Sequence, residues 1–153
     1  MKRNKKIALF HATLPIVLMI SVFLVGCSSD DCTIGGQGEP HLILTYIPPY
    51  GTQEDLHGQV THVCPDDYRI VVYIFVSNGW WVKPTDSNPK TIINKDGGWV
   101  CDITTGGQDS QATKMAAYLI PNGYSPPILL GEPVLPIELG QNAVAHAEAE
   151  RTP

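Results

Sequence analysis

The sequence predicts an all-β domain, an immunoglobulin-like β-sandwich, behind an N-terminal export segment. Three observations predict it. Thirteen Gly and twelve Pro fall among the 127 residues after Gly26, about a fifth of them, against average usage of roughly 12%, which disfavours long helices. From His41 onward the apolar runs are short and separated by turn residues, as a sandwich requires. The strongest run, Arg69–Ser77, is β-branched and apolar on both of its alternating faces, the pattern of a central strand covered twice.

The predicted strands follow in order. His41–Ile47 is closed by Pro48-Pro49-Tyr50-Gly51, and Leu56–Val63 by Pro65-Asp66-Asp67. Arg69–Ser77 runs into Asn78-Gly79, a two-residue hairpin signal, with Trp80–Lys83 as the return strand. Thr91–Asn94 and Gly98–Thr104 flank the Asp96-Gly97 turn as a second hairpin. Asp109 is placed to cap one helical turn with its carboxylate before the strand Lys114–Ile120. Residues 121–140 contain Pro121, Pro126, Pro127, Pro133 and Pro136. They cannot form a central strand and are expected to wrap the sandwich as an extended connection. Asn142–Glu150 alternates Ala with Val, His and Glu. Period two prefers a strand, although Ala and Glu also favour a helix.

The N-terminus reads as an address. Residues 1–6 are basic, residues 7–25 are almost wholly apolar, and Gly26-Cys27 precede the polar Ser28-Ser29-Asp30-Asp31. That is the layout of a secretory signal. Leu24-Val25-Gly26-Cys27 resembles the lipobox of bacterial lipoproteins. The resemblance implies cleavage before Cys27 and acylation of its thiol with diacylglyceryl and palmitate-type chains, anchoring the chain to a membrane. Ser28 in place of Asp permits outer-membrane sorting, were the cell Gram-negative. The alternative is an uncleaved transmembrane anchor; both put the remaining chain outside the cytoplasm. The expected organisation is therefore a signal peptide over 1–26, a flexible polar tether over 27–40 and a β-sandwich over 41–153.

Charge narrows the function. After Gly26 the chain carries six basic and fifteen acidic residues, a net −9. Such a body does not hold a phosphate backbone or adhere to anionic lipid by charge, so nucleic acid is not an expected partner. Three cysteines remain after Cys27. Cys64 and Cys101 fall within the predicted domain and are the expected disulfide, with two reduced buried thiols as the alternative. Cys32, in the tether, is then a spare thiol or forms an intermolecular bridge.

The sequence shows no catalytic constellation. Gly-x-Ser-x-Gly is absent, and fifteen acids make a carboxylate pair uninformative. His57 and His62 are five apart, on opposite faces of a strand, and do not build a metal site. Asp102 and Asp109 lack the regular spacing of a calcium loop. Thr104–Asp109 is Gly-rich but lacks the Lys of a phosphate loop and reads as a structural turn. No metal or cofactor is expected. The aromatic residues are the better lead: Trp80, Trp81 and Trp99 each follow a turn, and adjacent Trp80 and Trp81 must face opposite ways.

The segments Tyr73-Ile74, Gly79-Trp80-Trp81-Val82-Lys83-Pro84, Asp96-Gly97-Gly98-Trp99, Asp102–Gly107 and Tyr124-Ser125-Pro126-Pro127 are similar to accessory β-sandwich modules. Such modules occur in secreted bacterial lipoproteins and beside glycoside hydrolases. The resemblance runs from about Leu42 to Arg151 and transfers no catalytic residue. The expectation is a non-catalytic, lipid-anchored accessory module of the bacterial cell envelope. Its expected partners are a polysaccharide or an envelope protein, met through Trp80, Trp81 or Trp99. The alternatives are a small carbohydrate-active hydrolase and a purely structural envelope lipoprotein.

Overall fold

The computed structural model describes residues 32–153. The signal peptide, the lipobox with Cys27, and residues 27–31 of the expected tether lie outside the described residues. Among the described residues no helix is long and apolar enough to cross a membrane.

The chain folds as two antiparallel sheets. The smaller contains β1 (His41–Tyr46), β2 (Leu56–Thr61) and β6 (Gly98–Cys101), in the order β1-β2-β6. The larger contains β3 (Tyr68–Val76), β4 (Gly79–Lys83), β5 (Lys90–Thr91), β7 (Lys114–Pro121), β8 (Leu130–Glu132) and β9 (Ala145–Glu150). Its order is β8-β4-β3-β7-β9, and β5 pairs with the start of β3. One short helix, α1 (Ile137–Asn142), precedes β9.

β3 is central and covered twice, for the reason its sequence announces. Ile70, Val72, Ile74 and Val76 face the smaller sheet and meet Leu42, Leu56, Val60 and Trp99 in the main core. Val71 and Tyr73 face the other way, into a second core with Ala116, Tyr118, Ile120, Leu129 and Leu139. Leu129 and Leu139 come from the Pro-rich segment, which therefore makes a third layer. Each fully buried aliphatic or aromatic side chain contributes about 1.5–3 kcal/mol, so neither face of β3 is dispensable. The Tyr73 hydroxyl, deep under this layer, donates to the Pro127 carbonyl at 2.8 Å.

Several local expectations are corrected. β2 ends at Thr61 because His62 takes a left-handed φ of 63°. The strand expected at Thr91–Asn94 is only Lys90–Thr91, and the one expected to reach Thr104 stops at Cys101. The Pro-rich segment is not wholly extended: it contains edge strand β8 and helix α1. That helix starts after Pro136, whose φ of −61° suits a helix entry, and buries only Leu139. β9 keeps the period-two pattern, with Ala145 and Ala147 packed on the main core and His146, Glu148 and Glu150 exposed.

The disulfide is also corrected. Cys64 pairs with Cys32, and Cys101 is a free, buried thiol. Register explains why. Cys101 lies opposite Leu56, at the start of β2, whereas Cys64 follows the other end of β2. β2 alone carries the chain five positions from Leu56 to Thr61, roughly 17 Å, already far beyond the 7 Å Cα limit of a disulfide. Cys101 points inward beside Trp99 and Ile103, and burial pushes its thiol pKa up to about 12.

The bridge changes the expected tether. Residues 32–40 are stapled to the sandwich. The Ile34 N–H donates to the Val63 carbonyl at 3.1 Å, and the His62 N–H to the Ile34 carbonyl at 2.6 Å. The molecule thus has two distinct ends. Cys32, Cys64, Pro65 and Asn122 lie at the end where β3 begins. Val76, Ser77, Gln111 and Lys114 lie at the end where it finishes.

Candidate functional site

The three tryptophans have three different fates. Trp99 is 1% exposed and sits opposite Gly58 on β2, where a Cβ would fall inside its indole ring. It is a core residue, which corrects its place on the expected binding surface. Trp80 is half-buried, packed on Phe75 with ring centroids 5.3 Å apart, and joins the second core. Trp81, on the opposite face of β4, is 37% exposed. Its ring lies over Gly131 of β8, where a Cβ would come within 3.1 Å of it. Gly131 has a φ of +114°, a backbone state that L side chains rarely adopt, so conformation favours glycine under the indole, and a Cβ there would press on the ring.

Trp81 forms one wall of an open cleft of about 320 Å³, lined also by Ser77, Lys83, Thr105, Gly107 and Gln108. The cleft lies where β4 meets the loop 104–109. In register with Ile74 and Val72, Trp81 and Lys83 share the inward face of the larger sheet. In the same cleft, Lys83 forms a buried ion pair with Asp109, their side chains 7% and 10% exposed. The Lys83 ammonium also donates to the Thr105 hydroxyl at 3.0 Å, and that hydroxyl donates to the Pro84 carbonyl at 2.6 Å. Asp109 therefore does not cap its own turn as expected. Its carboxylate accepts the Gly106 N–H at 2.9 Å and holds Lys83. At the rim, the Ser77 hydroxyl donates to the Gln108 side-chain carbonyl at 3.0 Å.

Arg151 fixes this loop from behind. Its buried guanidinium donates to five backbone carbonyls: Ala112 at 2.6 Å, Pro48 at 3.0 Å, Pro49 at 3.1 Å, Asp109 at 3.3 Å and Ser110 at 3.0 Å. Burial lowers its pKa from the ordinary arginine value. The Gly51 N–H donates to the Ser110 carbonyl at 2.9 Å, tying in the loop after β1. The result is a rigid polar wall opposite an aromatic one.

A second open cleft, about 540 Å³, is lined by Tyr46, Gln53, Glu54, Asp55 and His57. The Tyr46 hydroxyl donates to the Glu54 carboxylate, which raises the Tyr46 pKa. Tyr46 and His57 meet edge to face at 5.5 Å. The Thr104 hydroxyl, next to Thr105 of the first cleft, donates to the carbonyl of Gln53 in the second at 3.4 Å. Two further histidines have local partners: His62 Nδ1 with the Glu39 carbonyl at 2.9 Å, and His146 stacked on Tyr118 at 5.8 Å; His41 is exposed at the start of β1. Asp102 accepts the Thr104 N–H at 2.9 Å. Among the described residues no three His, Cys, Asp or Glu side chains are grouped to hold a metal ion.

Sequence reasoning reached Trp81 but missed Lys83, Thr105, Gln108 and Arg151 as parts of one site. Lys83 and Asp109 are 26 residues apart, and no local pattern announces a pair formed between a strand and a distant loop. Set against protein-family models, curated proteins and solved structures, the chain matches none. Fold and site together define an all-β, two-sheet domain with an aromatic-walled cleft at one end.

Proposed function

We propose that the chain is a lipid-anchored accessory module of the bacterial cell envelope, held to the membrane through lipid on Cys27. It acts without catalysis and binds glycan in the Trp81 cleft. The observation that carries this reading is Trp81 itself. A large apolar ring with a polar N–H stands partly in solvent on a rigid strand, facing hydroxyl and amide groups. Such a ring stacks on the C–H face of a sugar, and Ser77, Thr105 and Gln108 supply partners for its hydroxyls. Lys83 and Asp109 neutralise each other, so the cleft suits an uncharged, hydroxyl-rich ligand. The lipobox and the acidic, turn-rich body support the envelope location.

The test is a glycan array with the wild type, Trp81→Ala and Trp80→Ala. The reading expects binding that Trp81→Ala weakens tenfold or more, with a smaller effect from Trp80→Ala. Wild-type binding to no glycan, or binding unchanged in Trp81→Ala, defeats it. Glu54 and Asp55 beside His57 motivate the rival hydrolase reading. It requires turnover of a glycan that Glu54→Gln abolishes, whereas the binding reading expects no turnover.

A further inference from the structure

The geometry points to a membrane-facing end and an outward-facing end, set by the Cys32–Cys64 bridge, with the Trp81 cleft presented away from the bilayer. This rests on lipidation of Cys27.

Only five positions separate Cys27 from Cys32, and Cys32 is bonded to Cys64. Five residues span at most about 17 Å. Without the bridge, the linker from Cys27 to the first strand at His41 is fourteen positions long, with a reach of about 49 Å. The bridge therefore holds the start of β3 close to the lipid, through Cys64 and Pro65 on one side and Thr33 and Ile34 on the other. The open hollow at that end is lined by one charge of each sign, Asp66 and Lys95. Proximity there comes from the covalent tether, not from adhesion.

The cleft lies at the opposite end. β3 runs nine residues from Tyr68, beside the bridge, to Val76, which lines the cleft with Ser77. Nine residues of strand cover roughly 27 Å. The loop 104–109 and Arg151 are also at this far end, while Trp81 is level with Ile74 and Lys83 with Val72, roughly 20 Å and 13 Å along β3 from Tyr68. Losing the bridge would release residues 32–40 into the linker and loosen both the reach and the orientation.

The experiment uses the full lipidated chain in vesicles of phosphatidylethanolamine and phosphatidylglycerol containing an acceptor-labelled lipid. A donor dye is attached through azidophenylalanine replacing Lys95, at the bridge end, or Gln111, at the cleft end. The proposal expects strong energy transfer from position 95 and several-fold weaker transfer from position 111. Inserting nine flexible residues after Ser29, which leaves the bridge intact, is expected to reduce transfer from position 95. Cys32→Ser is expected to do the same. Equal transfer from the two positions, or no change with the insertion, overturns the orientation. Cys27→Ser separates the underlying reading: if that variant stays on the vesicles with unchanged mass, lipid anchoring itself fails.

Discussion

Replacing Cys32 by Ser opens a loop whose ends are 32 residues apart. The loop-closure model gives about 3–4 kcal/mol for a bridge of that span. The described domain has about 120 residues, so its unfolding entropy makes each kcal/mol worth roughly 4 °C. Cys32→Ser is therefore expected to lower Tm by about 12–16 °C. Reductant should lower the wild type by the same amount and leave the variant unchanged. Cys101→Ala provides the contrast. It removes one buried sulfur, costs about 1–2 kcal/mol, and keeps the full reductant effect. The assay is thermal unfolding followed by circular dichroism, with and without dithiothreitol, on the chain carrying Cys27→Ser. A thiol count on that chain adds a second readout: no reactive thiol in the native state and one, Cys101, in denaturant. Loss of the reductant effect in Cys101→Ala would refute the pairing, and a Cys32→Ser shift under 3 °C would refute the magnitude.

Three further outcomes follow from buried polar and titratable groups. Asp109→Asn leaves the Lys83 ammonium buried without its counter-charge and is expected to cost about 3–5 kcal/mol in urea unfolding. The double variant Lys83→Met with Asp109→Leu should recover much of that, and a loss below 1 kcal/mol would contradict the buried pair. Arg151→Met strips donors from five carbonyls and is expected to cost about 2–4 kcal/mol. It should also speed amide exchange in residues 104–111, measured by hydrogen–deuterium exchange; unchanged exchange would contradict the clamp. Cys101 makes stability pH-dependent in one direction. Its folded pKa of about 12 lies above the ordinary thiol value of 9.0, so the neutral form is favoured by folding. Its contribution is complete below pH 9 and falls by about 1.4 kcal/mol per unit as pH rises toward 12. Urea unfolding at pH 9 and 10 should show that fall in the wild type and a smaller one in Cys101→Ala.

The strands were legible because their signals are local. Ile70, Val72 and Ile74 against Val71 and Tyr73 announced a doubly covered strand. Asn78-Gly79 announced a hairpin there, but one residue late: the turn residues are Ser77 and Asn78, with φ of 52° and 66°, and Gly79 already pairs with Val76. The Ala145/Ala147 stripe identified β9 although its residues favour helix, because alternation outweighs propensity where one face is buried. The cysteine pairing was not legible, since it depends on the β2–β6 register, which sets Cys101 at the wrong end. The short helix after Pro136 was hidden because proline suits both an extended chain and a helix entry. For the site, adjacency alone required Trp80 and Trp81 to face apart. Which one stays in solvent depends on Phe75 and the Pro-rich layer covering Trp80. Trp99 looked like its equals after a turn, but Gly58 across the strand opens the space that buries it. Lys83, Asp109 and Arg151 meet only through long-range folding and leave no trace in any local window.

The most direct test of the central claim is a titration of the indole N–H resonances. The three tryptophans of the chain give three such signals, assigned with Trp80→Phe and Trp81→Phe. The probes are neutral hexasaccharides of glucose, xylose and mannose, with a polyuronate as the charged comparison. The account predicts that a neutral oligosaccharide moves the Trp81 signal progressively, leaves buried Trp99 in place, and outcompetes the polyuronate. Movement of no indole signal with any of these sugars, or movement of Trp99 with Trp81 unaffected, would contradict it.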